Sequence, residues 1–307
     1  NEAFMEVCDT MNSIWKADAE ARMPFIPAEN VSEETRTYTD YTDLLVNEDG
    51  IYAIMKGHTD VPSLVRIGID GKPELIRRFA YEASHIRWSP YFKRIYWSES
   101  GTDERWSLQS RSKIMFIESG SGKIRSLKNK DLLFNPAPAG SQAHLATVKY
   151  EVTGRSSLEM ISGINGKSIR SFAAPDTLQL VEAAWIGEDV YATAISDDGY
   201  GIYQLSLDEN IDSSGKWEMV LSPQPVRIKD LSSTEEELIF TCDRTGVNEL
   251  YHLDPVTGTL TQKTSTRYGA SDFQYSTDGE WLYYSSQTLE GMRIFRTRTD
   301  SLLNRKA

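Results

Sequence analysis

Cysteine and histidine are scarce in this 307-residue chain, with two of the first and four of the second. Two thiols cannot make a disulfide framework. Cys8 and Cys242 lie far apart in the sequence, and nothing in their spacing supports a bridge. Both are expected as reduced structural thiols, which leaves the compartment unread. His58, His85, His144 and His252 fall in four different segments, and none forms the paired-histidine helical pattern of a zinc protease. No metal and no cofactor are therefore expected. The chain also has no Gly-x-Ser-x-Gly elbow and no phosphate-binding glycine loop. Ser110-Arg111-Ser112-Lys113 matches a Ser-x-x-Lys pattern, but its companion motifs are missing, and chance is the better account. Positive charge is short as well: 33 Lys and Arg stand against 45 Asp and Glu, a net charge of −12. That balance opposes a polyanionic partner, so no nucleic acid is expected. Nothing approaches 18 consecutive apolar residues, so the chain carries no membrane span of the helical kind. It begins at Asn1 with neither an initiator Met nor a signal region, and a processed or trimmed chain is expected.

What is present is a repeat. Short apolar runs begin at Ile51, Ile95, Leu145, Val190, Leu238 and Leu282, at intervals of 44, 50, 45, 48 and 44 residues. A period of this size matches one four-stranded propeller blade. Second runs start near Leu64, Ile114, Leu158, Ile202, Leu250 and Ile294, and most lead into turns such as Asp70-Gly71-Lys72 and Asn165-Gly166-Lys167. Alternation in Ile202-Tyr203-Gln204-Leu205-Ser206-Leu207 is that of half-buried strands. Fifteen Tyr and seven Trp suit strands too. The predicted fold is all-β: a six-bladed β-propeller over 36–307, with blades near 36–81, 82–131, 132–176, 177–225, 226–269 and 270–307. Residues 1–35 form a short N-terminal helical extension and linker.

The ends need separate treatment. Phe4, Val7, Met11, Ile14 and Trp15 form one apolar stripe of an amphipathic helix ended by Pro24 and Pro27. The stripe is expected to pack on the propeller or on a preceding domain, since an acidic polar face does not suit a membrane surface. The sixth unit has almost no fourth strand, and an incomplete outer edge near the termini is expected. Residues 301–307, or the segment before Tyr38, are the other sources of that strand.

Two places are candidates for function. The connection between the second and third strands is about six residues longer in the second unit than elsewhere, and it holds Glu99, Asp103, Arg105 and Trp106. Long loops on rigid scaffolds often carry recognition, and an Arg-Trp pair makes a planar anchor. Folding of this loop against its own blade is the competing account. The second place is the channel. Seven residues before each apolar run stands a bulky marker (Leu44, Trp88, Pro138, Trp185 with a shorter loop, Leu231, Tyr275), and three residues earlier stand Tyr41, His85, Asn135, Glu182, Ile228 and Asp272. Innermost strands face the channel, so His85, Asn135, Glu182 and Asp272 are predicted to converge there, around water, a cation or a small ligand. If they do, His85 should titrate above its free value. Asp208-Glu209-Asn210-Ile211-Asp212 resembles the opening of a calcium loop, but Ser213 and Met219 stand where such a loop needs Gly and Glu, which favours a solvated hairpin.

The stretch Asp272-Phe273-Gln274-Tyr275-Ser276-Thr277-Asp278-Gly279, followed by the run Trp281-Leu282-Tyr283-Tyr284, resembles the TolB-type, WD-like β-propeller repeat; Asn135-Pro136 and Ser89-Pro90 keep other fragments of it. The resemblance covers residues 36–307. Arg94 to Ile114 is more particularly similar to propellers of exported Bacteroidetes proteins, where the propeller follows a metallopeptidase-like helical domain. It implies a periplasmic or envelope location and a non-catalytic binding module, a monomer presenting loops or a channel mouth to a protein, peptide or glycan partner. The alternative is an accessory or gating domain of an exported hydrolase, such as a peptidase. The chain itself lacks the peptidase motif, so no protease activity carries over.

Overall fold

A computed structural model describes residues 2–102, 110–129, 132–207 and 216–307. Six antiparallel sheets follow one another along the chain. Their innermost strands are Thr39–Asn47, Glu82–Ser89, Leu133–Pro138, Gln179–Ile186, Ile228–Ser233 and Ala270–Tyr275, and each touches the next until the sixth meets the first. The ring is closed, and the fold is a six-bladed β-propeller with one N-terminal helix, α1 (Glu2–Arg22). The second strands begin within one residue of the sequence-based starts, at Gly50, Arg94, His144, Asp189, Leu238 and Trp281.

The hydrophobic core is divided into six layers, each pressed between two successive blades. Leu45, Ile54 and Phe79 of blade one meet Ile86, Ile95 and Trp97 of blade two; Tyr96 and Phe116 of blade two meet Leu133, Leu145 and Ile161 of blade three. Successive side chains of a strand point to opposite faces. Adjacent Tyr96 and Trp97, both fully buried, therefore serve different layers. This explains why the second strands are nearly continuous apolar runs: both faces of each blade are covered.

The termini close the ring differently from the expected incomplete edge. Glu29–Asn30 pairs antiparallel with Phe295 and Arg296, so the N-terminal segment supplies the outer strand of blade six. Residues 24–35 are thus more than a linker. Ile26 is buried between blades five and six and its N–H donates to Ser265 O (2.9 Å). Val31 N–H donates to Ile294 O (2.8 Å) in blade six, and Glu33 N–H to Gly71 O (2.9 Å) in blade one, so the segment spans the seam between last and first blades. Gly71 is required at this crossing: its φ is +79°, and a Cβ there would stand 2.6 Å from Val31 O. Residues Arg305–Lys306 add a fifth strand to blade five, not to blade six.

The helix does not pack its stripe on the propeller. Phe4, Val7, Met11, Ile14 and Trp15 are all exposed, Trp15 by 62%. Its anchor is the C-terminal end, where Arg22 Nη1 donates to Thr266 O (2.9 Å) and Ser265 Oγ to Arg22 O (2.6 Å). Cys8 and Cys242 are both free.

Candidate functional site

Each innermost strand has a bulge where its pairing with the second strand shifts. In five blades the bulge holds a non-glycine residue in the left-handed region: Asp43 (φ 52°), His85 (φ 58°), Asn135 (φ 53°), Asp230 (φ 59°) and Asp272 (φ 56°). Asp, Asn and His are the side chains best tolerated there, and strained backbone of this kind often accompanies function. The following residue (Leu44, Ile86, Pro136, Leu231 or Phe273) turns into the blade, and all five are buried. In blade four the shift falls between Leu180 and Glu182.

The channel ring is thus Asp43, His85, Asn135, Glu182, Asp230 and Asp272. The sequence register placed His85, Asn135, Glu182 and Asp272 at these positions but was two residues out in blades one and five. Tyr41 and Ile228 lie in the apolar layers, 0% and 1% exposed, and Asp43 and Asp230 take their places. Leu44 and Leu231 lie within the bulge and imitate the later marker. An Asp, Asn or His followed by a large apolar residue marks four of the six, and Asn135-Pro136 is a fifth variant of the same step.

Several of these groups tie one blade to the next. Asp43 Oδ1 accepts the His85 N–H (2.7 Å), Asn135 Nδ2 donates to Val181 O (2.6 Å), and the Asp272 N–H reaches Asp230 Oδ2 at 3.5 Å. Charge divides the ring in two. On blades two to four, Glu182 is 2% exposed, and neither of its oxygens accepts a hydrogen bond from the described residues. Its neighbours are cationic or titratable: His85 Nε2 at 3.6 Å and Arg87 Nη2 at 3.8 Å. On blades five, six and one, Asp230, Asp272 and Asp43 converge. Lys229 Nζ lies 3.7 Å from Asp230 Oδ2, and Thr241 and Ser271 donate hydroxyl hydrogen bonds to Asp230 and Asp272.

The protonation states follow from this layout. Burial pushes Asp272 well above the ordinary carboxylate range, and the charges of Asp230 and Asp43 push it further. Burial pulls His85 down, but the adjacent Glu182 carboxylate, with Asp43, outweighs it, and the imidazole ends above its usual value. A carboxyl whose folded pKa is raised stabilises the fold below its unfolded value near 3.8 and loses that contribution as pH rises through the folded value. Asp272→Asn keeps the left-handed backbone and removes the repulsion. It is expected to raise Tm by about 2 °C or more at pH 8 and to change it little at pH 4, by thermal unfolding. Equal shifts at both pH values would contradict the raised carboxyl.

The loop candidates divide. Asp103, Arg105 and Trp106 lie outside the described residues, as does Asp208-Glu209-Asn210-Ile211-Asp212. Glu99 is 7% exposed and is held by Arg77 of blade one (3.0 Å) and by Trp97 Nε1 (3.0 Å).

Comparison with known proteins places the architecture. No family model matches the chain, and no curated protein matches its sequence. Among solved structures, the propeller domain of the Trilobed protease from Pyrococcus furiosus is similar at TM-score 0.57 and 13% identity, over 85% of this chain and 96% of that one. A gluconolactonase from Xanthomonas campestris is similar at TM-score 0.61 and 10% identity, over 90% and 89% of the two chains. A putative TolB from Agrobacterium tumefaciens gives TM-score 0.59 and 13% identity, over 76% and 83%. At these identities the likeness is one of fold, and the three proteins differ in what they do. The chain is a six-bladed β-propeller similar in fold to TolB and to related propellers.

Proposed function

We propose that this chain is a non-catalytic binding propeller whose channel mouth receives a cationic group of a protein or peptide partner. The observation that carries the reading is the convergence of Asp43, Asp230 and Asp272 beside Lys229, where burial and the charges of Asp230 and Asp43 push the Asp272 carboxyl well above the usual carboxylate range. An ammonium or guanidinium entering this arc offsets the carboxylate charge and relieves the repulsion. Among the described residues no three such side chains are gathered closely enough to ligate a metal ion, which favours an organic cation. Across the ring, His85 and Arg87 flank Glu182, and this arc would receive the carbonyls that accompany a peptide's amino group. The TolB-like fold supports an envelope location on the same footing.

Titration calorimetry with short peptides tests this. A free amino terminus or lysine is expected to bind, and acetylation or Asp43→Asn is expected to weaken it about tenfold. Asp272→Asn should weaken it likewise while stabilising the fold, the usual trade between a strained site and stability. Equal binding by acetylated and free peptides would remove the reading. The likeness to a protease propeller domain keeps an accessory role in an exported hydrolase as the second reading. Hydrolysis of peptide or glycoside panels by this chain alone, abolished by His85→Ala or Glu182→Ala, would replace the binding module with an enzyme.

A further inference from the structure

A second concavity, of about 250 Å³, lies on the flank of the propeller between blades one and two, away from the channel. Its floor is the face of blade two that carries Trp97, Glu99 and Gly101 on one strand and Arg111, Lys113 and Met115 on the next. Glu99 lies opposite Lys113 and Gly101 opposite Arg111. In a cross-strand pair of this kind Lys113 would be expected to neutralise Glu99. Instead, Arg77 reaches across from blade one and takes both Glu99 oxygens, at 3.0 and 3.4 Å. The Lys113 ammonium is exposed and is left with no ion pair among the described residues. A chain of net charge −12 thus keeps an exposed lysine ammonium at this hollow.

The wall has its own specificity. Tyr81, 45% exposed, lies on the backbone of Gly101, where an added Cβ would stand 2.4 Å from its Cδ1. Glycine at 101 therefore lets the Cδ1 edge of the ring press against the strand, while nearly half of Tyr81 stays exposed at the pocket. Thr102 and Ser126 add hydroxyls to the lining.

We propose that this pocket binds an acidic sugar, a uronate unit of a glycan, with its carboxylate on Lys113 and its ring stacked on Tyr81. An exposed aromatic ring suits the CH face of a sugar, hydroxyls suit its edge, and a charge-assisted contact fixes the acid group. The pocket's volume suits one ring better than a length of peptide. The proposal is independent of the channel reading.

The test is calorimetric titration of the full chain with galacturonate and glucuronate, against galacturonate methyl ester, acetate and an acetylated dipeptide with a free carboxylate. At least one uronate is expected to bind. Methyl esterification, Lys113→Gln and Tyr81→Ala are each expected to weaken it about tenfold. Both side chains are exposed, and an unchanged Tm confirms that the variants are folded. No binding of either uronate, equal binding of the methyl ester, or indifference to Lys113→Gln overturns the proposal. Acetate or the dipeptide binding as tightly as a uronate overturns the sugar assignment. Asp43→Asn is expected to leave uronate binding unchanged, and a loss there would mean that uronate binds in the channel.

Discussion

Removal of residues 1–34 is expected to lower stability by on the order of 3 kcal/mol, seen as a fall in Tm of roughly 6 °C or more. Removal of residues 1–20 alone should cost within about 0.5 kcal/mol. The contrast follows from where the segment does its work. The helix exposes its apolar stripe and is held only near Arg22, so most of its length can leave without opening a packed layer. Residues 26–33 are different. They bury Ile26 against blades five and six, pack Val31 at the seam of blades six and one, and place main-chain hydrogen bonds on both sides of that seam. They also cover the outer edge of blade six, which would otherwise present unpaired N–H and C=O groups over Phe295 and Arg296. Every other pair of neighbouring blades is joined by continuous chain; this seam is joined by the latch. The longer truncation should therefore also increase hydrogen exchange in Gly291–Arg298 before it does so in the strands of blade three. If both truncations shift Tm equally, the latch is not what holds the ring.

The repeat was legible because its cause is physical and periodic. Each blade buries both faces, so its second strand must be apolar nearly throughout, and six such runs at a steady interval define six blades. The channel was legible only in part. A bulge advances one strand by a residue against its partner, and sequence spacing cannot show where that step falls. Counting back from a bulky marker succeeded where Trp88, Pro138 and Tyr275 stood after the bulge. It failed where Leu44 and Leu231, the buried residues within the bulge, imitated them. The closing strand was legible only as one of three alternatives, the segment before Tyr38, and not in its position. Glu29–Asn30 is two residues long, too short for any periodicity, and its place is fixed by backbone hydrogen bonds and by the room at Gly71. The flank pocket was hidden for a related reason. Lys113 and Glu99 are cross-strand neighbours, but the arginine that separates them comes from the preceding blade.

Trp97→Ala is expected to cost about 4 kcal/mol, lowering Tm by roughly 8 °C or more. Trp97 is fully buried in the layer between blades one and two, where its ring meets Phe79 edge-on at 6.1 Å and lies beneath the Arg77 guanidinium at 6.0 Å. Truncation leaves a cavity that the blades cannot close, because both are fixed by their other neighbours in the ring. It also removes the Nε1 donor that holds Glu99, leaving a nearly buried carboxylate to Arg77 alone. Trp97→Phe fills most of the cavity but loses the donor, and an intermediate loss of about 2 kcal/mol is expected. Trp15→Ala, on the exposed face of the helix, should change stability by less than about 0.5 kcal/mol. The same substitutions separate the two binding sites. Arg77 and Glu99 both line the flank pocket, so Trp97→Phe should weaken uronate binding while amine-bearing peptides still bind the channel ring. Calorimetry on the folded Trp97→Phe variant checks this: parallel losses for both ligands would mean that the layer between blades one and two governs the whole ring, whereas loss of uronate alone ties the pocket to that single layer.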